Sequence, residues 1–449
     1  MQGDKLQGGE KHTEGEGREE DVGDIEEIRR RTWNLFSLKH AVSLRLRGLI
    51  SFLGVFGPGL VVMLADTDAG SVITAAQSGA VWGYKLLLLQ VVLIPVLYIV
   101  QELTVRLGLV TGKGHGELIR DHFGPKWAWF SVGTLTLAGI GALITEFAGI
   151  GGVGLLFGIP LWVSVGMAVT FLAIVVWTGS YYSVERIAIM IGSFELAFVF
   201  VALWARPNPS EILTGLTQIP WKNSGYLYLA AANVGAVIMP WMIFYQQSAV
   251  VDKGLTVRNL RAARWDTLWG SLITQVIMAA ILIAAAATLG QSHPGIPLDT
   301  VQQITHALIP FLGKDFGVLF FALGMIGAAM VAAIVVSLAM AWGLGEVSGY
   351  RRSLEHHPME APWFYAIYTI ALVLGGLFVI SGVNLVDLSI GVQIMNALLL
   401  PIVLGFLYLL ALKALPEPYK LQGTYAVVVG LVVVITSGFG VFAVLNTLL

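Results

Sequence analysis

The chain has 449 residues, 56% hydrophobic and 12% charged, with a mean hydropathy of +0.79 and a net charge of −2. A soluble domain carries roughly 25% charged residues, so this composition places the chain in lipid, and the lack of a basic field excludes nucleic acid as a partner. Cysteine is absent, which excludes disulfides and thiolate metal sites.

Residues 1–32 are polar and charged, with no apolar segment of the kind a secretory signal needs, and read as a disordered cytoplasmic tail. Residues 33–47, "WNLFSLKHAVSLRLR", read as an amphipathic helix lying at the membrane interface. Eleven apolar runs long enough to span a bilayer follow, at about 48–80, 84–105, 127–150, 159–177, 188–205, 226–250, 268–290, 315–343, 363–381, 384–412 and 425–447. The expectation is an all-α integral membrane protein of about 11 transmembrane helices.

Orientation follows from Lys and Arg. With the N-terminus in the cytoplasm, 22 of the 26 basic residues fall inside, and only Lys85, Arg206, Lys222 and Lys314 fall outside. The C-terminus is then extracellular, and the membrane expected is the plasma (cell inner) membrane.

Two of the runs contain helix breakers. The first carries "ADTDAGS" and the sixth "GAVIMPW". Asp, Thr and Gly are weak helix formers, and Pro240 cannot donate a helical hydrogen bond. Interruptions in spans one and six mark equivalent positions in two inverted five-helix repeats, residues 48–205 and 226–412, with 413–449 as an added C-terminal helix. Broken helices meeting at mid-membrane are the usual binding place of secondary transporters.

The first break holds Asp66 and Asp68, separated only by Thr67. A carboxylate at the centre of a span costs about 2.5–3.5 kcal/mol, so two of them call for a cation. The bland reading, pairing with a basic residue, meets the near absence of Lys and Arg deep in spans two to ten. Each half-helix also ends in carbonyls without intrahelical partners, those near Leu64 in the first break and near Ala236 and Val237 in the sixth. With the hydroxyls of Thr67 and Ser71, these groups make a hard-oxygen site suited to Mg, Mn or Ca. Met239 is either packing or a thioether ligand that favours softer metals. Gln393 and Asn396, three residues apart on span ten, either tie helices together or line the ion path. Glu102, Glu146, Glu195 and Glu346 fall in or near the ends of spans without a role that spacing alone assigns. "TGKGHGELIRDHFG", residues 111–124, lacks the phosphate-loop pattern and reads as a cytoplasmic loop. His293, His306, His356 and His357 lie in loops and are not expected to bind metal. No nucleophile–base pair or metal-hydrolase motif points to an enzyme, and no cofactor is expected.

These motifs resemble the NRAMP family of divalent-metal transporters over about residues 45–412, and within it the divergent branch of NRAMP-related magnesium transporters. "GPG…DTDAGS…GA" is similar to that family's first helix, which reads GPG…DPGN…GA, and "GAVIMPWMIFYQQS" is similar to its sixth. "RLGLVTGKG…ELIR" and "TEFAGIGGVGLLFGIPLW" resemble its second-loop and third-to-fourth-helix motifs. The resemblance implies a LeuT-type fold working by alternating access. It implies a metal site at Asp68, Ser71, the Ala236 carbonyl and the Met239 thioether. The partners expected are the ion and the bilayer; a monomer is the working expectation, and the residues themselves do not fix the oligomeric state. The departures point to Mg²⁺, with Mn²⁺ also carried. Ala69 replaces the family's proline, Ser71 its asparagine, and Asp66 is an added acid. Trp241 and Gln246 stand where two histidines are usual. Glu146 and Gly149 stand where the third helix normally has two acids, and "PWFYAIY" lacks the paired arginines of the ninth. Loss of these groups is expected to remove proton coupling, the alternative being a proton-coupled Mn²⁺/Fe²⁺ importer.

Overall fold

In the computed structural model, residues 54–292, 298, 314–381 and 385–448 are described. The tail at 1–32, the interfacial segment at 33–47, the start of the first span, and His293 and His306 lie outside the described residues. Prolines open many of the helices, because a first-turn position has no intrahelical N–H bond to lose. Pro58, Pro125, Pro209, Pro240 and Pro362 all stand at first positions.

The first span is two helices, α1 (Pro58–Asp66) and α2 (Ala69–Trp82). A 3₁₀ turn at Gly83–Leu86 leads into α3 (Leu87–Thr111). The segment expected as a plain loop at 111–124 contains a helix, α4 (His115–Phe123), so that reading is corrected. Its start is fixed by Glu117, whose carboxylate accepts the Gly114 N–H at 3.1 Å. Then come α5 (Pro125–Leu156) and α6 (Leu161–Thr178). Span five is α7 (Tyr181–Gly192), a 3₁₀ turn at Ser193–Glu195, and α8 (Leu196–Trp204). A short helix missed in the sequence, α9 (Pro209–Thr217), precedes the broken sixth span, α10 (Ser224–Val237) and α11 (Pro240–Asp252). The rest are α12 (Leu260–Ser292), α13 (Lys314–Ser348), α14 (Pro362–Ile380), α15 (Leu385–Lys413) and α16 (Gly423–Leu448).

Among the described residues, ten stretches are long and apolar enough to cross a membrane. One of them, Ala69–Thr111, contains both α2 and α3, with Gly83 at φ 59 between them. Counting the interrupted first span separately from α3 gives the eleven expected. Large apolar side chains such as Trp127, Trp129, Phe171 and Leu203 are exposed, where lipid would cover them.

The two halves of the first span share α12 but otherwise differ in their main neighbours. Helix α1 packs on α7, α11, α12 and α13, whereas α2 packs on α5, α10, α12 and α15. The break between them therefore sits where both halves of the bundle can reach it.

Candidate metal site

The break begins where α1 ends at Asp66. Thr67 leaves helical geometry at φ −77, ψ 41, and its N–H reaches back only to the Leu64 carbonyl, at 3.1 Å. Asp68 is the N-cap of α2: its Oδ1 accepts the Ser71 N–H at 2.6 Å, as a capping carboxylate should. The second oxygen, Oδ2, is buried with no hydrogen-bond partner. One Asp68 oxygen thus holds the helix and the other is free for an ion.

The sixth span breaks at Ile238 and Met239, both extended, before Pro240 restarts the helix. The two breaks touch. The Ser71 hydroxyl donates to the Ala236 carbonyl at 3.0 Å. From α15, the Gln393 amide donates to Asp68 Oδ1 at 3.4 Å, and Asn396 donates to Gln393 Oε1 at 2.9 Å. Asn396 Oδ1 is buried without a partner. Asp68, Ser71, Ala236, Gln393 and Asn396 are therefore brought together. Met239 is fully buried in the apolar core and makes no polar side-chain contact among those described.

Asp66 and Thr67 point elsewhere. Thr274 of α12 donates to Asp66 Oδ2 at 3.4 Å, and its hydroxyl lies 2.8 Å from that of Thr67. Thr274 was not singled out in the sequence. Thr267, Ser271 and Thr274 follow one another by four and three residues, a polar stripe on an apolar helix that helical spacing could have exposed. Thr267 receives the Gln246 amide at 3.0 Å, and the Ser271 hydroxyl lies 3.8 Å from the Met63 sulfur.

The four glutamates left open by the sequence separate cleanly. Glu102 binds Arg106 at 2.7 Å and Arg264 at 2.8 Å. Glu346 accepts from Gly116 N–H at 2.7 Å and from Ser248 at 2.5 Å, tying α4 and α11 to the end of α13. Glu146 belongs to the site: it accepts the Ala69 N–H at 3.0 Å and the Thr145 hydroxyl at 3.2 Å. It acts as a second cap on α2. Glu195 is fully buried in the 3₁₀ turn of span five.

Gly149 has no room for a side chain. A Cβ there would stand 2.7 Å from the Ala69 methyl and 3.2 Å from the Met325 sulfur. Trp241 is fully buried, with Nε1 unpaired. Among the described residues, no group of three or more His, Cys, Asp or Glu is spaced to hold a metal ion. Any ion here would be held by a mixture of carboxylate, carbonyl, hydroxyl and amide oxygens. That is the donor set of hard divalent cations, which also keep water.

Two interrupted helices meeting inside a multi-pass bundle, with an uncommitted carboxylate oxygen between them, define an integral membrane protein of LeuT-type fold. Residues 59–446 match the family model "Natural resistance-associated macrophage protein-like", and the chain belongs to this Nramp family of divalent metal transporters. A relative, the divalent metal cation transporter MntH of Chromohalobacter salexigens, is 29% identical over 303 residues, covering 64% of this chain and 69% of its own. The crystal structure of the Eremococcus coleocola manganese transporter, bound to an aromatic bis-isothiourea compound, superposes with a TM-score of 0.70 at 20% identity. It covers 88% of this chain and 87% of its own. MhsT in complex with L-phenylalanine shares the fold at a TM-score of 0.56 and 16% identity, over 88% of this chain and 98% of its own.

Proposed function

We propose that the chain carries Mg²⁺, and Mn²⁺ as well, across the plasma membrane by alternating access and without coupled protons, as a member of the NRAMP-related magnesium branch. Asp68 Oδ2 is the principal charged ligand, joined by the Ser71 hydroxyl, the Ala236 carbonyl and the Asn396 and Gln393 amides, with water completing the shell. Met239, buried three residues after Ala236, is the candidate thioether ligand. The protein works as a monomer, with its N-terminus cytoplasmic and its C-terminus outside. Residues 48–205 and 226–412 serve as the two repeats, and 413–449 adds the last helix.

The observation that carries the reading is the packing of Gly149 on Ala69. Where the family has a second acid after Glu146, this chain has a glycine whose missing side chain is filled by α2 itself. Glu146 is meanwhile held by the Ala69 N–H. A proton leaving Glu146 has no carboxylate at position 149, and neither Trp241 nor Gln246 can carry one. The added Asp66 and the short Ser71 supply negative charge and space, which suit an ion that keeps part of its water.

The test is uptake into proteoliposomes with an internal pH dye. Mg²⁺ and Mn²⁺ should enter along the ion gradient and membrane potential without matching acidification, and Asp68→Ala should abolish entry while leaving a monodisperse protein. Acidification scaling with metal uptake would restore the proton-coupled importer, and wild-type uptake by Asp68→Ala would remove the metal assignment.

A further inference from the structure

The two aspartates of the first break serve different sides of it. Asp68 faces α15 and α5 through Gln393 and Glu146, whereas Asp66 faces α12 through Thr274. Asp66 also closes α1, where the end of a helix already carries partial negative charge from its free carbonyls. A carboxylate there is repelled by its own helix.

A third acid joins it. The side chain of Glu195 is fully buried, and neither oxygen has a hydrogen-bond partner. Asp66, Asp68 and Glu146 are among its electrostatic neighbours, and the Thr67 hydroxyl lies close to it without making a hydrogen bond. Asp66 Oδ1 is likewise buried and unpartnered. Three carboxylate oxygens are thus uncommitted on the α1 side of the break. The Thr274 hydroxyl reaches both Asp66 Oδ2, at 3.4 Å, and the Thr67 hydroxyl, at 2.8 Å. No basic side chain figures among the charges acting on Asp66 or Glu195. Buried charges of this kind require a cation, since an unpaired one is costly in hydrocarbon.

We propose that Asp66, Thr67, Thr274 and Glu195 form a second cation site, distinct from that of Asp68, for a partly hydrated divalent ion such as Mg²⁺. This rests on the reading that the chain carries divalent cations. The two carboxylates together match one divalent charge, and the donors are all oxygen, with no thioether, so the site is harder than the one beside Met239. The 3₁₀ turn that carries Glu195 interrupts span five and packs on α13, where a Cβ on Gly327 would lie 3.5 Å from the Glu195 nitrogen. An ion released from Asp68 toward α1 would meet this second set of oxygens next.

The test is Mg²⁺ binding to the purified full chain in detergent, measured by titration calorimetry after removal of bound metal. Wild type should take two Mg²⁺ per chain. Glu195→Gln, which keeps the shape and removes the charge, should take one, and so should Asp66→Asn. Asp68→Ala should also take one, and Asp68→Ala/Glu195→Gln none. Two Mg²⁺ bound by both Glu195→Gln and Asp66→Asn would overturn the second site, as would a single Mg²⁺ in wild type. Asp68→Ala binding as many ions as wild type would instead overturn the first site, while the Glu195→Gln count still decides the second. Elution at the wild-type volume in size exclusion verifies that each variant is folded. Should Glu195→Gln fail this check, Asp66→Asn and Thr274→Val decide the count.

Discussion

The Ser71 hydroxyl donates to the Ala236 carbonyl at 3.0 Å, joining the break of the first span to that of the sixth. The two groups expected to share an ion therefore already share a hydrogen bond. A carbonyl has two lone pairs, so Ala236 can hold Ser71 and an ion together. Ser71→Ala should remove a ligand and leave a buried carbonyl short of its donor. The expected loss of stability is about 1 kcal/mol, with Mg²⁺ uptake falling several-fold. Thermal unfolding and vesicle uptake measure both, and unchanged uptake would show that the Ser71 hydroxyl contributes nothing to transport.

Met239 is buried with its backbone extended and lies at the junction of α10 and α11. A thioether favours softer ions, whereas Mg²⁺ is served by oxygen and water. Met239→Ala should therefore slow Mn²⁺ uptake more than Mg²⁺ uptake. Parallel uptake curves for the two metals check this, and complete loss of Mg²⁺ transport would point to a dehydrated site that needs the sulfur.

The other end of α1 is held by charge. Asp266 of α12 accepts the N–H groups of Gly57, Gly59 and Leu60 at 3.2, 2.7 and 3.1 Å. Lys253, the residue that caps the C-terminus of α11, binds Glu185 at 2.8 Å and the Phe56 carbonyl at 3.0 Å. Gly57 sits at φ 146, and a Cβ on it would collide with the Glu185 carboxylate. A carboxylate at a helix N-terminus opposes the positive end of the dipole. Asp266→Asn should cost roughly 1–2 kcal/mol of stability, the scale of a lost cap. Breaking the buried pair with Glu185→Gln should cost more, about 3–5 kcal/mol, because Lys253 keeps its charge. Unfolding midpoints in detergent test the order, and Glu185→Gln milder than Asp266→Asn would contradict it.

His115 in α4, between spans two and three, gives a pH signature. It is buried, with Nδ1 3.0 Å from the Gln247 oxygen and its ring edge-on to Phe244, and burial pushes its pKa from 6.5 down to about 4. The unfolded chain therefore binds a proton below pH 6.5 that the folded chain refuses until about pH 4. Stability from this residue should be constant above pH 6.5 and fall by roughly 3 kcal/mol between 6.5 and 4. The difference in stability between wild type and His115→Gln, followed across that window, should shrink as pH falls. A constant difference would show that His115 titrates normally.

Hydropathy, spacing and helix breakers alone determined the eleven apolar runs, the interruptions at Asp66–Asp68 and Met239–Pro240, and the acids placed at the first of them. They are local: a run of apolar residues must be helical in lipid, and the weak helix formers of Asp–Thr–Asp and the proline after Met239 favour a break there, whereas Pro95 and Pro401 lie inside unbroken helices. Helices α4 and α9 escaped because they are short and polar, and periodicity over nine residues is weak. Only the tertiary structure decided the division of labour among the charges. It turned Asp66 toward Thr274 and Asp68 toward Gln393, bonded Ser71 to Ala236, made Glu146 a cap on α2, and set Gly149 against Ala69. These contacts join residues far apart in the sequence, up to 325 positions for Gln393 and Asp68. Which oxygen is taken and which is left free depends on helices brought together by burial, and no local pattern of residues encodes that.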